Sequence, residues 1–171
     1  APTQNFGKIN AAGGDVFLVG RTVENFGTIG AVDGLVGLAG GNEVLLKASG
    51  DERVFISAGD GAYVNNAGEI NSAMAELKSH GNVGALAVNN SGAIRATHST
   101  TKNGRVVLAS NFGNVSNTGV IESRSFDGSG GEIEIRTGHG EIHIGGILNA
   151  TSAAGQGGNV RILGDTVNVD P

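Results

Sequence analysis

A five-residue pattern, Asn-x-Gly-x-Ile, returns along this chain and constrains its fold more than any other feature. A second pattern, Gly-x-Val-x-Leu or a close variant, follows it. Five clear copies begin at Asn5, Asn25, Asn66, Asn90 and Asn117, and two weaker ones begin at Asn42 and Ile144. The steps between these starts are 20, 17, 24, 24, 27 and 27 residues. Periods of this length are typical of solenoids, in which each repeat is one structural unit.

Each repeat carries about three short segments in which apolar and polar residues alternate, as they do in half-buried strands. One repeat cannot bury its apolar face alone, but stacked repeats can, with each strand pairing to its equivalent in the next coil. The sequence therefore predicts an all-β fold: a right-handed parallel β-helix of about seven coils with three short strands per coil. Residues 1–171 are expected to form a single domain.

Stacking places equivalent residues over one another, so every repeated position is expected to form a ladder. The predicted aliphatic column is Ile9, Ile29, Ile70, Ile94 and Ile121. A second predicted column is Val16, Val36, Val106, Ile133 and Val160. The repeated asparagines, Asn5, Asn25, Asn66, Asn90 and Asn117, are expected to form an amide ladder at one corner. Phe6 and Phe26 share a register, so their rings are expected to stack.

Composition agrees with stacked short strands and excludes several function classes. Gly accounts for 31 of 171 residues, aromatic residues for 4%, and there is no Cys, which excludes disulfides and thiolate metal sites. The net charge of −5 argues against nucleic-acid binding, which requires a basic stripe. No apolar run approaches the ~20 residues of a membrane-spanning helix.

Variation in repeat length predicts insertions at the corners. Residues Ser72 to Ser79 read Ser-Ala-Met-Ala-Glu-Leu-Lys-Ser, which favours a single short helix with Ser72 as its cap. Thr97 to Asn103, Arg124 to Ser129 and Thr151 to Gln156 are predicted to be loops at one shared corner. Insertions aligned at one corner often form the variable face of a solenoid.

Candidate catalytic and metal-binding residues all have simpler structural interpretations. His139 and His143 would lie ~13 Å apart on a strand, too far to share a metal ion, and His80 and His98 are interpreted as solvated. Glu132, Glu134 and Glu141 suggest a glycosidase pair, but Glu132 and Glu134 share an outward face with Arg136 and Arg161 as partners. Calcium is a weak alternative, because most aspartates sit beside glycines where turns favour them; these are Asp15, Asp33, Asp51, Asp60, Asp127 and Asp165. No catalytic, cofactor or metal site is predicted.

The alternation of the two motifs resembles the filamentous haemagglutinin family, the exoproteins of bacterial two-partner secretion. The match lies in Gly13–Val19, Val23–Ile29, Gly34–Ala39 and Val88–Ala96, and it spans most of the chain. The family's secretion domain carries an Asn-Pro-Asn motif that is missing here, since the only prolines are Pro2 and Pro171. The resemblance implies a fragment of a longer exoprotein, secreted to the bacterial surface through an outer-membrane transporter.

Three functions remain open at this point. The first is a non-catalytic structural or adhesive segment of a surface exoprotein, acting in adhesion, biofilm or cell contact through an unidentified receptor or glycan. The second is a carbohydrate-active β-helix enzyme, either a polysaccharide lyase or a hydrolase. The third is a self-assembling extracellular fibre subunit that associates end to end through exposed strand edges. The first is the interpretation that the repeat favours.

Overall fold

The computed structural model describes residues 1–97, 99, 102–125, 129–152 and 157–171. Within these residues the chain forms nineteen β-strands and no helix. The strands are β1 (Thr3–Asn5), β2 (Lys8–Asn10), β3 (Val16–Gly20), β4 (Thr22–Asn25), β5 (Thr28–Gly40), β6 (Glu43–Leu46), β7 (Val54–Ala58), β8 (Tyr63–Asn66), β9 (Glu69–Ser79), β10 (Leu86–Asn90), β11 (Ala93–Ala96), β12 (Arg105–Ser110), β13 (Asn114–Asn117), β14 (Val120–Ser125), β15 (Glu132–Thr137), β16 (Glu141–Ile144), β17 (Ile147–Ser152), β18 (Asn159–Leu163) and β19 (Thr166–Val169).

Two large parallel sheets dominate the structure. The first has seven strands in the order β1-β4-β8-β10-β13-β16-β19. The second follows the path β17-β14-β11-β9-β12-β15-β18, with β5 pairing to β2, β3 and β9. In both sheets a strand of one repeat pairs in parallel with the equivalent strand of another repeat, as in a β-solenoid. The all-β class and the parallel pairing predicted from the repeat are therefore confirmed.

The core consists of apolar side chains that meet in register between the sheets. Ile29 pairs with Ile70, Ile70 with Ile94, and Ile94 with Ile121, and all four side chains are fully buried. In the second column Val106 lies between Ala75 and Ile133. A parallel third column contains Leu38, Leu77, Leu108 and Ile135, also fully buried. At one corner the Phe6 and Phe26 rings stack with centroids 5.1 Å apart.

The predicted helix over residues 72–79 is wrong, because this segment is the second half of strand β9. Helix propensities differ by less than ~1 kcal/mol per residue, so tertiary pairing readily overrides them. Here β9 pairs with β5 on one side and with β11 and β12 on the other. Ala75 and Leu77 point inward and fill the two apolar columns, which a helix would leave empty.

The prediction that a weak copy of the repeat begins at Asn42 is also wrong, because the strand that follows Asn42 belongs to an antiparallel hairpin. Strand β6 pairs with β7, whereas Asn25 pairs directly with Asn66 and skips Asn42. We call residues 43–58, which comprise β6, β7 and their connection, the hairpin. Gly59 and Gly61 follow it with φ of 153° and 68°, a backbone region that favours glycine.

The repeated corner glycine is required by close approach of two backbones and not by positive φ. A Cβ built on Gly92 would lie 2.1 Å from the Gly68 carbonyl oxygen, and one on Gly119 would lie 2.1 Å from the Gly92 oxygen. Neither residue has positive φ. Any larger side chain would force successive coils apart at this corner.

The three predicted corner loops fall partly outside the described residues, at positions 98, 100–101, 126–128 and 153–156. The described parts correct two boundaries, since Arg124 and Ser125 end β14 and Thr151 and Ser152 end β17. Across the described ranges, the chain contains no helix with the length and apolar character needed to cross a membrane.

Candidate functional surface

The repeated asparagines stack at the carboxyl ends of successive strands of the seven-stranded sheet, and their side chains form hydrogen bonds with one another. Nδ2 of Asn5 donates to Oδ1 of Asn25 at 2.8 Å, and Asn25 donates to Asn66 at 2.8 Å. The series continues from Asn66 to Asn90 at 2.8 Å and from Asn90 to Asn117 at 2.7 Å. All but Asn5 are fully buried. A buried amide loses its hydrogen bonds to water, and in this ladder the side-chain amide of each neighbouring asparagine replaces them as donor or acceptor.

The ten ladder residues therefore face the interior. The isoleucine column from Ile29 to Ile121 is fully buried, and Ile9 at its end is partly buried against the same core. Such side chains hold coils together but cannot reach a ligand. A functional surface must be built from residues that point outward or from segments that leave the coils.

The largest such segment is the hairpin, which lies on the outer face of the second sheet. Strand β7 packs against β5 and β9, and Val54 is fully buried there. Gly37 of β5 makes room for it, since a Cβ at that position would lie 3.0 Å from Val54 Cγ2 and 2.7 Å from the Phe17 ring. The hairpin therefore occupies a shallow depression formed by a missing side chain.

Charged side chains of β9 fasten the hairpin backbone. The Glu76 carboxylate accepts the amide hydrogens of Arg53 at 2.7 Å and Val54 at 2.9 Å. Lys78 Nζ donates to the Val54 carbonyl at 2.8 Å and lies 2.9 Å from Glu76 Oε2. Glu76 and Lys78 are 1% and 5% exposed, so both charges depend on these partners.

A group of ion pairs, which we call the charge cluster, extends this contact; its members are Glu52, Glu76, Lys78, Arg105, Glu134 and Arg136. Glu52 bonds Lys78, and it accepts from Arg136 Nη2 at 2.8 Å. Arg136 also donates to Glu134 at 2.5 Å. Burial opposes ionisation of Glu52, but hydrogen bonds from Arg136 and Lys78 outweigh it and lower its pKa to about 2. Glu52 is therefore an anion at neutral pH and a poor proton donor.

Of the three glutamates considered for a glycosidase pair, the fold separates Glu141 from Glu132 and Glu134. Glu132 and Glu134 lie on β15 and Glu141 on β16, which belongs to the other sheet. Glu132 Oε2 is 3.3 Å from Arg105 Nε, and Glu134 lies 3.9 Å from Arg161 as well as bonding Arg136. Glu134 is 6% exposed, which corrects the expectation that it simply solvates the outer face.

The histidines and aspartates are dispersed. His80 and His139 flank the Phe112 ring at centroid distances of 5.2 and 5.6 Å, while His143 lies on β16, 3.4 Å from Asp170. His80 is mostly shielded, with 14% of its side chain exposed, so its interpretation as solvated is wrong. His98 and Asp127 are outside the described residues. Elsewhere in the described chain no three His, Asp or Glu side chains gather closely enough to hold a metal ion.

A polar groove of about 510 Å³ lies where the hairpin connection approaches the coil corner. Lys102 Nζ donates to the Asp33 carbonyl at 2.7 Å, and Arg105 Nη1 donates to the Asp51 carbonyl at 3.0 Å. Glu132 also lines the groove, so charges of both signs face it. Closely spaced donors and acceptors of this kind suit a polar ligand such as a glycan better than an apolar one.

Sequence reasoning missed the hairpin although a signal for it was present. Two short apolar runs, at 44–46 and 54–56, flank the turn-forming residues Ser49-Gly50-Asp51. Such a pairing of strand runs around a glycine turn predicts a hairpin. The resemblance of Asn42–Ala48 to the repeat hid that signal.

Comparison with known proteins gives no family for this chain: no protein-family model matches it, and no curated protein matches it either.

Proposed function

We propose that this chain is a structural and adhesive segment of a secreted bacterial surface exoprotein, similar to the filamentous haemagglutinin family, and that it is not an enzyme. In this proposal it forms about seven coils of a right-handed parallel β-helix within a longer rod. The coils space a binding surface away from the cell. The observation that carries the proposal is the uninterrupted register of the repeat, from Asn5 to Asn117, through buried side chains that bond only within the stack.

Two points support this architecture. The first sheet contains seven parallel strands, one for each proposed coil. Crossover connections between parallel strands are right-handed in nearly all proteins, which favours a right-handed winding. Parallel strands sit ~4.8 Å apart, so seven coils correspond to a rod segment of ~34 Å.

The distribution of charge supports a non-catalytic role. The charged groups of the charge cluster bind one another or the hairpin backbone, an arrangement that stabilises structure, and the lowered pKa of Glu52, about 2, makes this carboxyl a poor proton donor at neutral pH. Adhesion would then use outward surfaces such as the polar groove beside Lys102 and Arg105.

Cellular location tests the proposal directly. Antibodies raised against this chain would be applied to the bacterium that encodes it, with intact cells, culture medium and lysed cells compared. We expect signal on intact cells or in the medium. Signal only after lysis, with a cytoplasmic enzyme as the fractionation control, would overturn the surface assignment.

Incubation with polysaccharides separates adhesion from catalysis. The purified chain would be mixed with acidic and neutral polysaccharides, and both retention on the polymer and the release of reducing ends or unsaturated products would be measured. We expect no product, and retention would identify the ligand. Product formation that scales with protein concentration and persists after repurification would overturn the non-catalytic role.

A further inference from the structure

Strand β6 is an exposed edge with an unusual combination of residues. In the described part of the chain it pairs with β7 alone, and β7 is the strand of the hairpin that packs against β5 and β9. Leu45 is 60% exposed and Leu46 is 40% exposed, and Glu43 and Lys47 are exposed on either side. An exposed, apolar edge strand is a template for pairing with another strand.

The free hydrogen-bonding groups of this edge can be assigned from the hairpin ladder. The Lys47 amide donates to the Arg53 carbonyl at 2.8 Å, toward β7. Backbone groups of a strand point alternately to its two sides. Leu45 therefore faces β7, and the amide and carbonyl groups of Val44 and Leu46 face the free edge.

The sequence of this edge, Glu43-Val44-Leu45-Leu46-Lys47, is complementary to itself in the antiparallel direction. When two copies pair about a two-fold axis at Leu45, Glu43 of each lies opposite Lys47 of the other. Val44 then faces Leu46 as a hydrogen-bonded pair, using the groups that point to the free edge. The two charge pairs fall at non-hydrogen-bonded positions, where facing side chains approach most closely.

We propose that β6 is a self-association surface, through which two copies of this chain join their hairpins into one four-stranded antiparallel sheet. The charge pattern selects a second copy over other strands, because each end of the edge carries the charge that the opposite end requires. In the single chain both charged side chains lie on the same face of the hairpin. Lys47 Nζ lies 4.3 Å from the Phe55 ring centroid, and Glu43 accepts a hydrogen bond from Ser57 at 2.8 Å, so both side chains are directed toward β7 and would turn toward the free edge when a second copy pairs there.

A two-fold contact of this kind is isologous and closed. It is distinct from end-to-end stacking of coils, which would be open and would continue into fibres. The buried surface is small, so the expected contact is weak and depends on protein concentration. Its effect on adhesion would be to present two rods side by side and so increase avidity. The inference does not depend on the proposed function.

A charge exchange tests it. Sedimentation equilibrium would be measured for the wild-type chain, Glu43→Lys and Lys47→Glu. Each variant places like charges opposite each other at both ends, so each is expected to weaken dimerisation about tenfold or more. An equimolar mixture of the two variants restores opposite charges at both ends and is expected to recover the wild-type dimer.

Matched controls exclude a general effect of net charge. Lys8→Glu and Glu141→Lys alter exposed residues on other strands and change net charge by the same amounts. Each is expected to dimerise like the wild-type chain, and their mixture is expected to gain nothing. Wild-type protein that stays monomeric at all concentrations, or a Glu43→Lys and Lys47→Glu mixture that dimerises no more strongly than either variant alone, would overturn the proposal.

A backbone variant tests the edge itself. Leu46→Pro removes an amide hydrogen that faces the free edge and none that bonds β7, and proline is tolerated at such edge positions. We expect circular dichroism to show an unchanged β fold and sedimentation equilibrium to show that the dimer is lost. Undiminished dimerisation of this folded variant would assign the contact to another surface and contradict the proposal.

Discussion

The asparagine corner and the hairpin both attach one segment of the chain to another through buried polar side chains, but they do so in different ways. At the corner, neutral amides bond to identical amides of the neighbouring coils at 2.7 to 2.8 Å. At the hairpin, the charged side chains of Glu76 and Lys78 bond to the backbone of Arg53 and Val54.

This difference determines how each contact should fail. A ladder of identical amides is cooperative along the stack, because each member satisfies the next and the loss of one exposes two neighbours. The hairpin contact occurs once, and it joins an antiparallel pair of strands to a surface that is already complete. We therefore expect damage at the corner to destabilise the whole domain and damage at the hairpin to release only the hairpin.

The largest effect is expected for Gly92→Ala. Its Cβ would lie 2.1 Å from the Gly68 carbonyl oxygen and 2.7 Å from the Ala67 carbonyl carbon, both of which are backbone atoms that cannot rotate away. We expect the free energy of unfolding to fall by about 4 kcal/mol, near the upper limit for single substitutions. Urea denaturation followed by circular dichroism measures it.

Gly7→Ala is the matched control, since Gly7 occupies the same position of the first repeat and a Cβ there meets no atom within 4 Å. Its unfolding free energy is expected to change by less than about 1 kcal/mol. Equal losses in the two variants would show that close coil approach is not what the repeated glycine provides.

Asn90→Ala is expected to have the next largest effect. It removes the donor to Asn117 and the acceptor for Asn66, leaving two buried polar groups without these bonds. We expect a loss of about 3 kcal/mol in unfolding free energy, in one cooperative transition. Asn89→Ala is the control, because the neighbouring amide is less buried and donates to Asn65 at 2.9 Å, outside the ladder; similar losses would contradict a special role for the ladder.

The repeated asparagine corner could be predicted from the sequence, whereas the hairpin contact, which occurs once, could not. Repetition made the stacked register readable, because Asn25, Asn66 and Asn90 recur with the same spacing to the following Gly and Ile. The helix predicted over residues 72–79 is wrong because helix propensity is a property of single residues and does not include the pairing of this segment with β5 and β12. The apolar alternation of Ala73, Ala75 and Leu77 fits a strand equally well.

The hairpin contact could not be predicted in the same way. It occurs once, so no repeat reveals it, and it joins residues far apart in sequence, such as Glu52 and Arg136. Glu134 and Arg136 read as an ordinary outward-facing pair on β15. Only the three-dimensional structure shows that the hairpin covers them and turns a solvated ladder into a partly buried cluster.

Glu76→Gln tests whether the hairpin can detach alone. The substitution keeps the size of the side chain but replaces a charged acceptor of two amide hydrogens and leaves Lys78 without this partner. We expect the hairpin contact to weaken by about 2 kcal/mol. Hydrogen exchange should then accelerate at residues 44–58 while strands β10 to β16 keep wild-type protection.

Glu69→Gln is the control for this experiment, because it removes the ion pair of Glu69 with Arg95, which is largely exposed and lies away from the hairpin. Its hydrogen-exchange profile is expected to match the wild-type chain. Uniformly faster exchange across the coils in Glu76→Gln would show that hairpin and coils form one cooperative unit.

The smallest effect concerns pH. The pKa of Glu52 is lowered from 4.5 to about 2 in the folded chain, because bonds from Arg136 and Lys78 outweigh the cost of burial. A carboxyl group with a depressed folded pKa contributes stability above its unfolded pKa and loses it as pH falls. Hairpin attachment should therefore be constant above pH 4.5 and weaken between pH 4.5 and pH 2.

An NMR titration of the Glu52 carboxyl carbon should give a midpoint near 2, and Lys78→Met should raise it toward 4.5. Arg53→Gln, which breaks the pair with Asp15 instead, should leave the midpoint unchanged. A wild-type midpoint near 4.5 would mean that the charge cluster does not hold the hairpin in solution.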